Sequence, residues 1–290
     1  MEENSEIRNP LGIEPISKLL RKFAIPSIVA MLVSSFYNIV DQFFIGRTVG
    51  TLGNAATNVA FPVSTICVAL GLLFGIGGAA AFNIEMGKGN KEKAPFYIGN
   101  VVTGIMILGT IIAIGILLFL TPLLKFFGSP DNVLGYAKDY VGVTAIGIPF
   151  LIMGLGGGHI IRADGSPDFS MTCNLVGAII NIILDYLFVM VFDWQMKGAA
   201  LATIIGQFVS FVLVINYLRH YKTVKLKKEH FIPSLKCIGR IASLGVTPFS
   251  NQIAIMIVQI TLNKSLTYYG ALSNYGDSIP LACAGIIMKV

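Results

Sequence analysis

Two carboxylates, Asp41 and Asp185, stand alone within stretches that otherwise read as membrane-spanning helices. Every other acidic residue falls in a tail, in a loop or at a helix end. An Asp at the centre of a bilayer costs roughly 3 kcal/mol even on the mildest scale. Two of them need a polar cavity, a proton or a metal cation to be tolerated there. Same-face neighbours add polarity. Tyr37 and Asn38 lie four and three residues before Asp41, and Asn181 lies four before Asp185; that spacing shares a helix face. Oxygen donors of this kind suit a hard monovalent cation or a proton relay. The chemistry expected is reversible ion binding within a membrane, and ion-coupled transport is its natural use. The bland alternative is that each Asp bonds a neighbouring helix. No nucleophile–base pair or metal cluster suggests catalysis, so the chain does not read as an enzyme, and no cofactor is expected beyond a coupling ion.

Long apolar helices must position these groups. Of 290 residues, 54% are hydrophobic and 12% charged, with a mean hydropathy of +0.76; a soluble domain carries about 25% charged residues. Residues 48–84, 98–124, 141–161, 198–218 and 241–263 hold no Asp, Glu, Lys or Arg, and about 20 such residues span a bilayer. Residues 23–46 and 169–192 qualify apart from their single Asp. The pattern predicts an all-α, polytopic membrane protein. Its helices are expected over 20–46, 54–83, 95–122, 134–161, 169–192, 198–220, 238–263 and from 278 onward, with boundaries good to about 2–4 residues.

Fifteen Lys and Arg residues fall on the side of the N-terminus and five on the other. That excess predicts a cytoplasmic N-terminus. It reads as a topology signal rather than a nucleic-acid surface. The polar start, MEENSEIRNP, lacks the basic region and apolar core of a cleaved signal peptide. On this orientation Asp41 lies about 27 Å along the first helix and Asp185 about 24 Å along the fifth, at 1.5 Å per residue. Both fall in the outer half at similar depth, which counts against two unrelated structural acids. Thr203 enters the same layer from outside, and Tyr140, near the outer start of the fourth helix, is in range.

The longest connection, Tyr221 to Lys236, divides the chain. Ala24-Ile25-Pro26 pairs with Val246-Thr247-Pro248, and Gly50, Leu52, Asn54 with Gly270, Leu272, Asn274. This suggests a six-helix unit duplicated in parallel, a known transporter plan. The expected organisation is a cytoplasmic tail over 1–19, a six-helix lobe over 20–220, a cytoplasmic linker over 221–237 and the start of a second lobe over 238–290. Because the last apolar run is short, the chain reads as a fragment of about twelve helices, not expected to transport alone. Pro26 and Pro248 should kink their helices, and Pro26 is the candidate hinge. The run Gly154, Gly156, Gly157, Gly158 is expected to loosen the fourth helix near its inner end. His159 reads as interfacial, and Cys67, Cys173, Cys237 and Cys283 as small apolar packers.

At these residues the chain resembles the multidrug and toxic compound extrusion (MATE) family of secondary transporters, most of all the bacterial multidrug branch related to the DNA-damage-inducible transporters. The segments that carry the likeness are PSIVAMLVSSFYNIVDQFFIGRTVG at 26–50, GIGGAAAFNIEMGKGNKEKA at 75–94 and IIRADGSPDFSMTCNLVGAIINIILDYLFV at 160–189. The resemblance implies two six-helix lobes around a central cavity in a bacterial cell membrane, monomeric at full length. It implies export of cationic amphipathic molecules in exchange for protons or sodium ions. By the family pattern the cation site, and any sodium site, falls on Asp41, Asn181, Asp185 and Thr203. Tyr37, Asn174 and Gln207 are cavity residues by analogy, and Asn38 and Tyr140 join them by position. Some branches carry acids on helices seven and eight; the seventh here has none, with Asn263 the nearest polar match. The runner-up is a lipid-linked oligosaccharide flippase of the related fold, disfavoured because no Arg or Lys occupies the middle of helices one to six. A non-transporting receptor or scaffold is the third reading.

Overall fold

A computed structural model describes residues 15–287. Residues 1–14 of the expected tail, with Arg8, and residues 288–290 lie outside the described residues, as does the side chain of Lys22. Every described element is helical: α1 (Ile16–Thr48), α2 (Thr51–Gly87), α3 (Ala94–Leu118), α4 (Leu120–Phe126), α5 (Asp131–Thr144), α6 (Ile148–Ala163), α7 (Pro167–Asp185), α8 (Gln195–Arg219), α9 (Leu235–Ala271) and α10 (Ser278–Ile287). They make seven candidate spans, with α5 and α6 forming one of them over Asp131–Ala163. The chain is an integral membrane protein. Below, the proximal end of the bundle is the end where α1 begins.

The departures from the expected helices follow from proline and from partnering. Residues 134–161 are not one regular helix: a 3-10 turn at Ala145–Gly147 separates α5 from α6. Pro149, in the first turn of α6, cannot donate back to Ala145. In the same way Pro122 cannot bond Leu118, and the third helix breaks at Phe119 (φ −110°, ψ 26°) before α4. Pro26 and Pro248 leave α1 and α9 continuous. The expected end of α9 at Asn263 falls eight residues short of Ala271. Its late polar residues have partners: Lys264 Nζ lies 4.4 Å from the centre of the Phe126 ring, and Thr267 Oγ1 donates to the Gly128 carbonyl at 2.8 Å.

Glycines set how closely the helices approach. A Cβ at Gly75 would meet Gly156 Cα at 2.7 Å, so α2 and α6 touch backbone to backbone. The glycine run therefore does not loosen α6, which is unbroken over Ile148–Ala163. Instead it permits contact without intervening side chains, the small-residue packing of membrane helices. Antiparallel α2 and α9 meet along most of their length. Gly77 faces the Ile241 carbonyl and Gly245 the Leu73 carbonyl. Toward the distal end the contact turns polar. Gln259 Nε2 donates to Asn58 Oδ1 (2.9 Å), and Asn58 Nδ2 donates to Asn263 Oδ1 (3.1 Å), all three being buried.

At the proximal end, Asp164 ties the turn after α6 to the segment after α8. It accepts from the Tyr217 hydroxyl (2.7 Å), from Lys222 N (2.8 Å), and from Thr223 N (2.9 Å) and the Thr223 hydroxyl. The Tyr221 phenol, pushed above its usual range by burial and then by Asp164, stays protonated and donates to the Ile160 carbonyl at 3.2 Å. Asp164→Ala would strand the buried Tyr217 hydroxyl, worth about 1–3 kcal/mol without a partner, and would untie the exposed Lys222 and Thr223 from the turn. A fall in unfolding temperature well beyond that of Asp164→Asn, which keeps a carbonyl acceptor, is expected in a thermal melt.

Candidate cation and cargo site

α7 and α8 cross antiparallel at Gly177 and Gly206. A Cβ on Gly206 would meet the Gly177 carbonyl at 2.7 Å. This crossing sets the site, because Asn181 lies one turn beyond Gly177 and Thr203 one turn before Gly206. With its amide oriented to satisfy both neighbours, Asn181 donates to Asp185 Oδ2 (3.3 Å) and accepts from Thr203 N (3.2 Å). The Thr203 hydroxyl donates to the Ala199 carbonyl at 2.9 Å, and the Tyr140 side chain stands in the same layer. α1 packs against α7 and brings Asp41 into electrostatic contact with Asp185. Asp41 is 6% exposed and Asp185 fully buried. Asp185 Oδ1 has no hydrogen-bond partner among the described residues. α7 ends at Asp185 and runs on as a π-helix, Tyr186–Val191; such widened turns are frequent at functional sites.

The structure thus gathers Asp41, Asn181, Asp185, Thr203 and Tyr140 at one level. It also adds Gln42, which sequence reasoning misses. Gln42 Nε2 donates to Asp41 Oδ2 (3.3 Å), and its carbonyl accepts from the Thr57 hydroxyl (2.8 Å). Same-face spacing does not find it, because Gln42 follows Asp41 directly in sequence. Its signal is a polar residue in an apolar run opposite Thr57 on α2.

A cavity of about 350 Å³ runs from this layer toward the proximal end. Tyr37, Asn174, Asn181, Thr203 and Gln207 line it. Neither Asp reaches the cavity wall; the pair sits behind Asn181 and Thr203. Two expected cavity residues are elsewhere. Asn38 bonds the Ser34 carbonyl of its own helix at 2.7 Å, a quarter-turn from Tyr37. Tyr140 belongs to the carboxylate layer. His159, expected at the interface, lines the cavity with Arg162. Among the described residues no three His, Cys, Asp or Glu side chains converge as a metal site. Any ion held here would rest on the two carboxylates and neutral oxygens.

The family model MatE matches residues 26–187, more than half of the chain and including Asp41, Asn181 and Asp185. The chain belongs to the MatE family. Among MATE relatives, the multidrug export protein MepA of Staphylococcus saprophyticus is 28% identical over 269 residues, covering 92% of this chain and 60% of MepA. MepA of Staphylococcus aureus is 27% identical over 270 residues with the same coverage. The solved MATE multidrug transporter DinF-BH superposes with a TM-score of 0.89 at 31% identity, over 96% of this chain and 61% of that one. An inward-facing multidrug resistance MATE transporter of the MOP superfamily shares the fold, with a TM-score of 0.80 at 23% identity, over 90% of this chain and 60% of its own. The chain spans about 60% of the length of the curated relatives it matches.

Proposed function

We propose that this MATE protein is an antiporter of the bacterial cell membrane, exporting cationic amphipathic molecules by alternating access in exchange for H+ or Na+, with its N-terminus in the cytoplasm. The observation that carries the reading is the pair of neighbouring carboxylates sealed behind the distal end of a drug-sized cavity. Pocket volumes of roughly 300–1,000 Å³ suit drug-sized ligands. The named activities of the relatives, multidrug export and transport, agree with it.

In this mechanism an ion entering from outside loads Asp41 and Asp185. Neutralisation removes the attraction that held a cationic cargo near Tyr37, Asn181 and Gln207, and the cargo leaves. Ion release on the inside restores an anionic layer that accepts the next molecule. Drug and ion therefore oppose each other's binding by the same factor, as linkage requires. Pro26 leaves one intrahelical hydrogen bond unmade in α1, a place where the helix that bears Asp41 can bend as the charge changes.

The test is ethidium efflux from vesicles containing the protein expressed from its complete reading frame, under an imposed pH or sodium gradient. Efflux that follows one gradient is expected, and that gradient names the ion. Efflux in a correctly folded sample that ignores both gradients would overturn coupling. No efflux at all would return the flippase and scaffold readings.

A further inference from the structure

At the proximal end, the Lys and Arg side chains that the structure describes are all exposed, with one exception. The exception is Arg162. It is half-buried in the last turn of α6, and it lines the same cavity as Asn181 and Thr203. A residue serving only as a topology signal would point to solvent, as Lys91, Lys93, Arg219 and Arg240 do. Arg162 has no ion-pair partner among the described residues: the acidic residue nearest in sequence, Asp164, is taken up by Tyr217, Lys222 and Thr223. His159, one turn back on α6, lines the same stretch of wall. The carboxylates that could attract a cation lie behind the opposite end, beyond Asn181 and Thr203, so the two ends of the cavity face groups of opposite charge.

We propose that the proximal end of the cavity is an anion subsite, in which Arg162, with His159 one turn away, holds the carboxylate of an amphiphile whose amine lies toward Asn181 and Thr203. The favoured cargo is then zwitterionic rather than simply cationic. This rests on the cavity being the cargo site. Two helices give the scale. Gly154, which faces Ser210 at the level of Gly177, is eight residues from Arg162, and Asn181 is four residues beyond Gly177. At 1.5 Å per residue the two backbone levels are about 18 Å apart. The Arg side chain shortens the gap between charged groups to the length of a drug-sized molecule. The wall between carries Leu151, Gly154 and Leu155 on α6 and Gly206 on α8, beside the amides of Asn174 and Gln207, and its apolar part suits an aromatic or aliphatic body. A guanidinium fork matches a carboxylate in two parallel hydrogen bonds, which a lysine cannot reproduce.

The experiment compares two cationic xanthene dyes that differ at one group: a rhodamine ethyl ester and its free acid. Fluorescence polarisation on the purified protein gives the affinity of each for wild type, Arg162→Gln and Arg162→Lys, with a thermal melt of each variant to establish folding. Arg162→Gln is expected to lose tenfold or more in affinity for the free acid and less than twofold for the ester, with Arg162→Lys between. Equal loss for both dyes, or no loss for the acid, overturns the anion subsite while leaving the cavity reading intact. A wild-type protein that binds neither dye overturns both. If Arg162→Gln unfolds, the Arg162→Lys ratio of acid to ester affinity decides alone: an unchanged ratio sinks the proposal.

Discussion

Asp185→Asn is expected to abolish gradient-driven efflux while leaving the protein folded and inserted. The substitution keeps size and shape and removes only the charge that, on the proposed mechanism, a cation or proton meets. Nothing in the fold requires that charge. Asp185 is fully buried, its Oδ2 meets Asn181, and its Oδ1 has no described hydrogen-bond partner. A carboxamide there can still accept from Asn181, so its effect on the unfolding temperature should be small. Its effect on exchange should not. Coupling free energies of about 1–3 kcal/mol correspond to roughly 5- to 150-fold changes in affinity, and on the proposed antiport mechanism losing the anion behind the cavity removes that coupling. Ethidium efflux under the effective gradient should fall at least tenfold, to the level of protein-free vesicles. Full retention of efflux would refute the role assigned to this layer and move coupling to residues beyond those described.

Gly245→Leu is expected to produce a large loss of stability in the bundle. A Cβ at Gly245 collides with the Leu73 backbone, and the facing Gly77 is equally close to the Ile241 carbonyl. A flexible side chain could yield, but two helix backbones cannot unless the whole α2–α9 contact opens. Overpacking costs typically 1–3 kcal/mol where side chains can adjust; with backbone on both sides, about 3 kcal/mol is the floor expected here. A thermal melt in detergent should show a marked drop. Gly239→Leu is the control on the same helix. It meets nothing within 4 Å and should be neutral or slightly stabilising, since Gly is a poor helix former. Equal melts for the two variants would show that α2 and α9 are not in contact as described.

The helices and the level of the carboxylates are legible in the sequence because helical rise is constant. Counting residues from the proximal ends puts Asp41 and Asp185 in one layer, counting from the distal start of α8 adds Thr203, and the structure connects them there. Counting does not tell which side of that layer a residue faces. Hence Asn38 is expected in the cavity and turns away from it, and Tyr140 is expected there and stands behind it. The break at Phe119 and the 3-10 turn at Ala145 are written in Pro122 and Pro149, whose signal is weak beside the strength of the apolar runs. The length of α9 is hidden for another reason. Gln259 and Asn263 look like the end of a span until Asn58 is seen to receive them. Arg162 is placed by its height in the membrane alone, whereas the direction in which a long side chain leans depends on the space beside its helix.

The carboxamides of Asn58, Gln259 and Asn263 bear on how the protein is made. When α9 leaves the ribosome it enters the bilayer with two polar groups facing hydrocarbon, and α2, already in place, displays the third. Such interhelical hydrogen bonds are worth about 1–2 kcal/mol in model peptides. A slip of one turn forfeits one of the two bonds to Asn58, and a slip of two turns forfeits both. They therefore act as a registration mark, fixing how far the newcomer slides along its predecessor before it comes to rest.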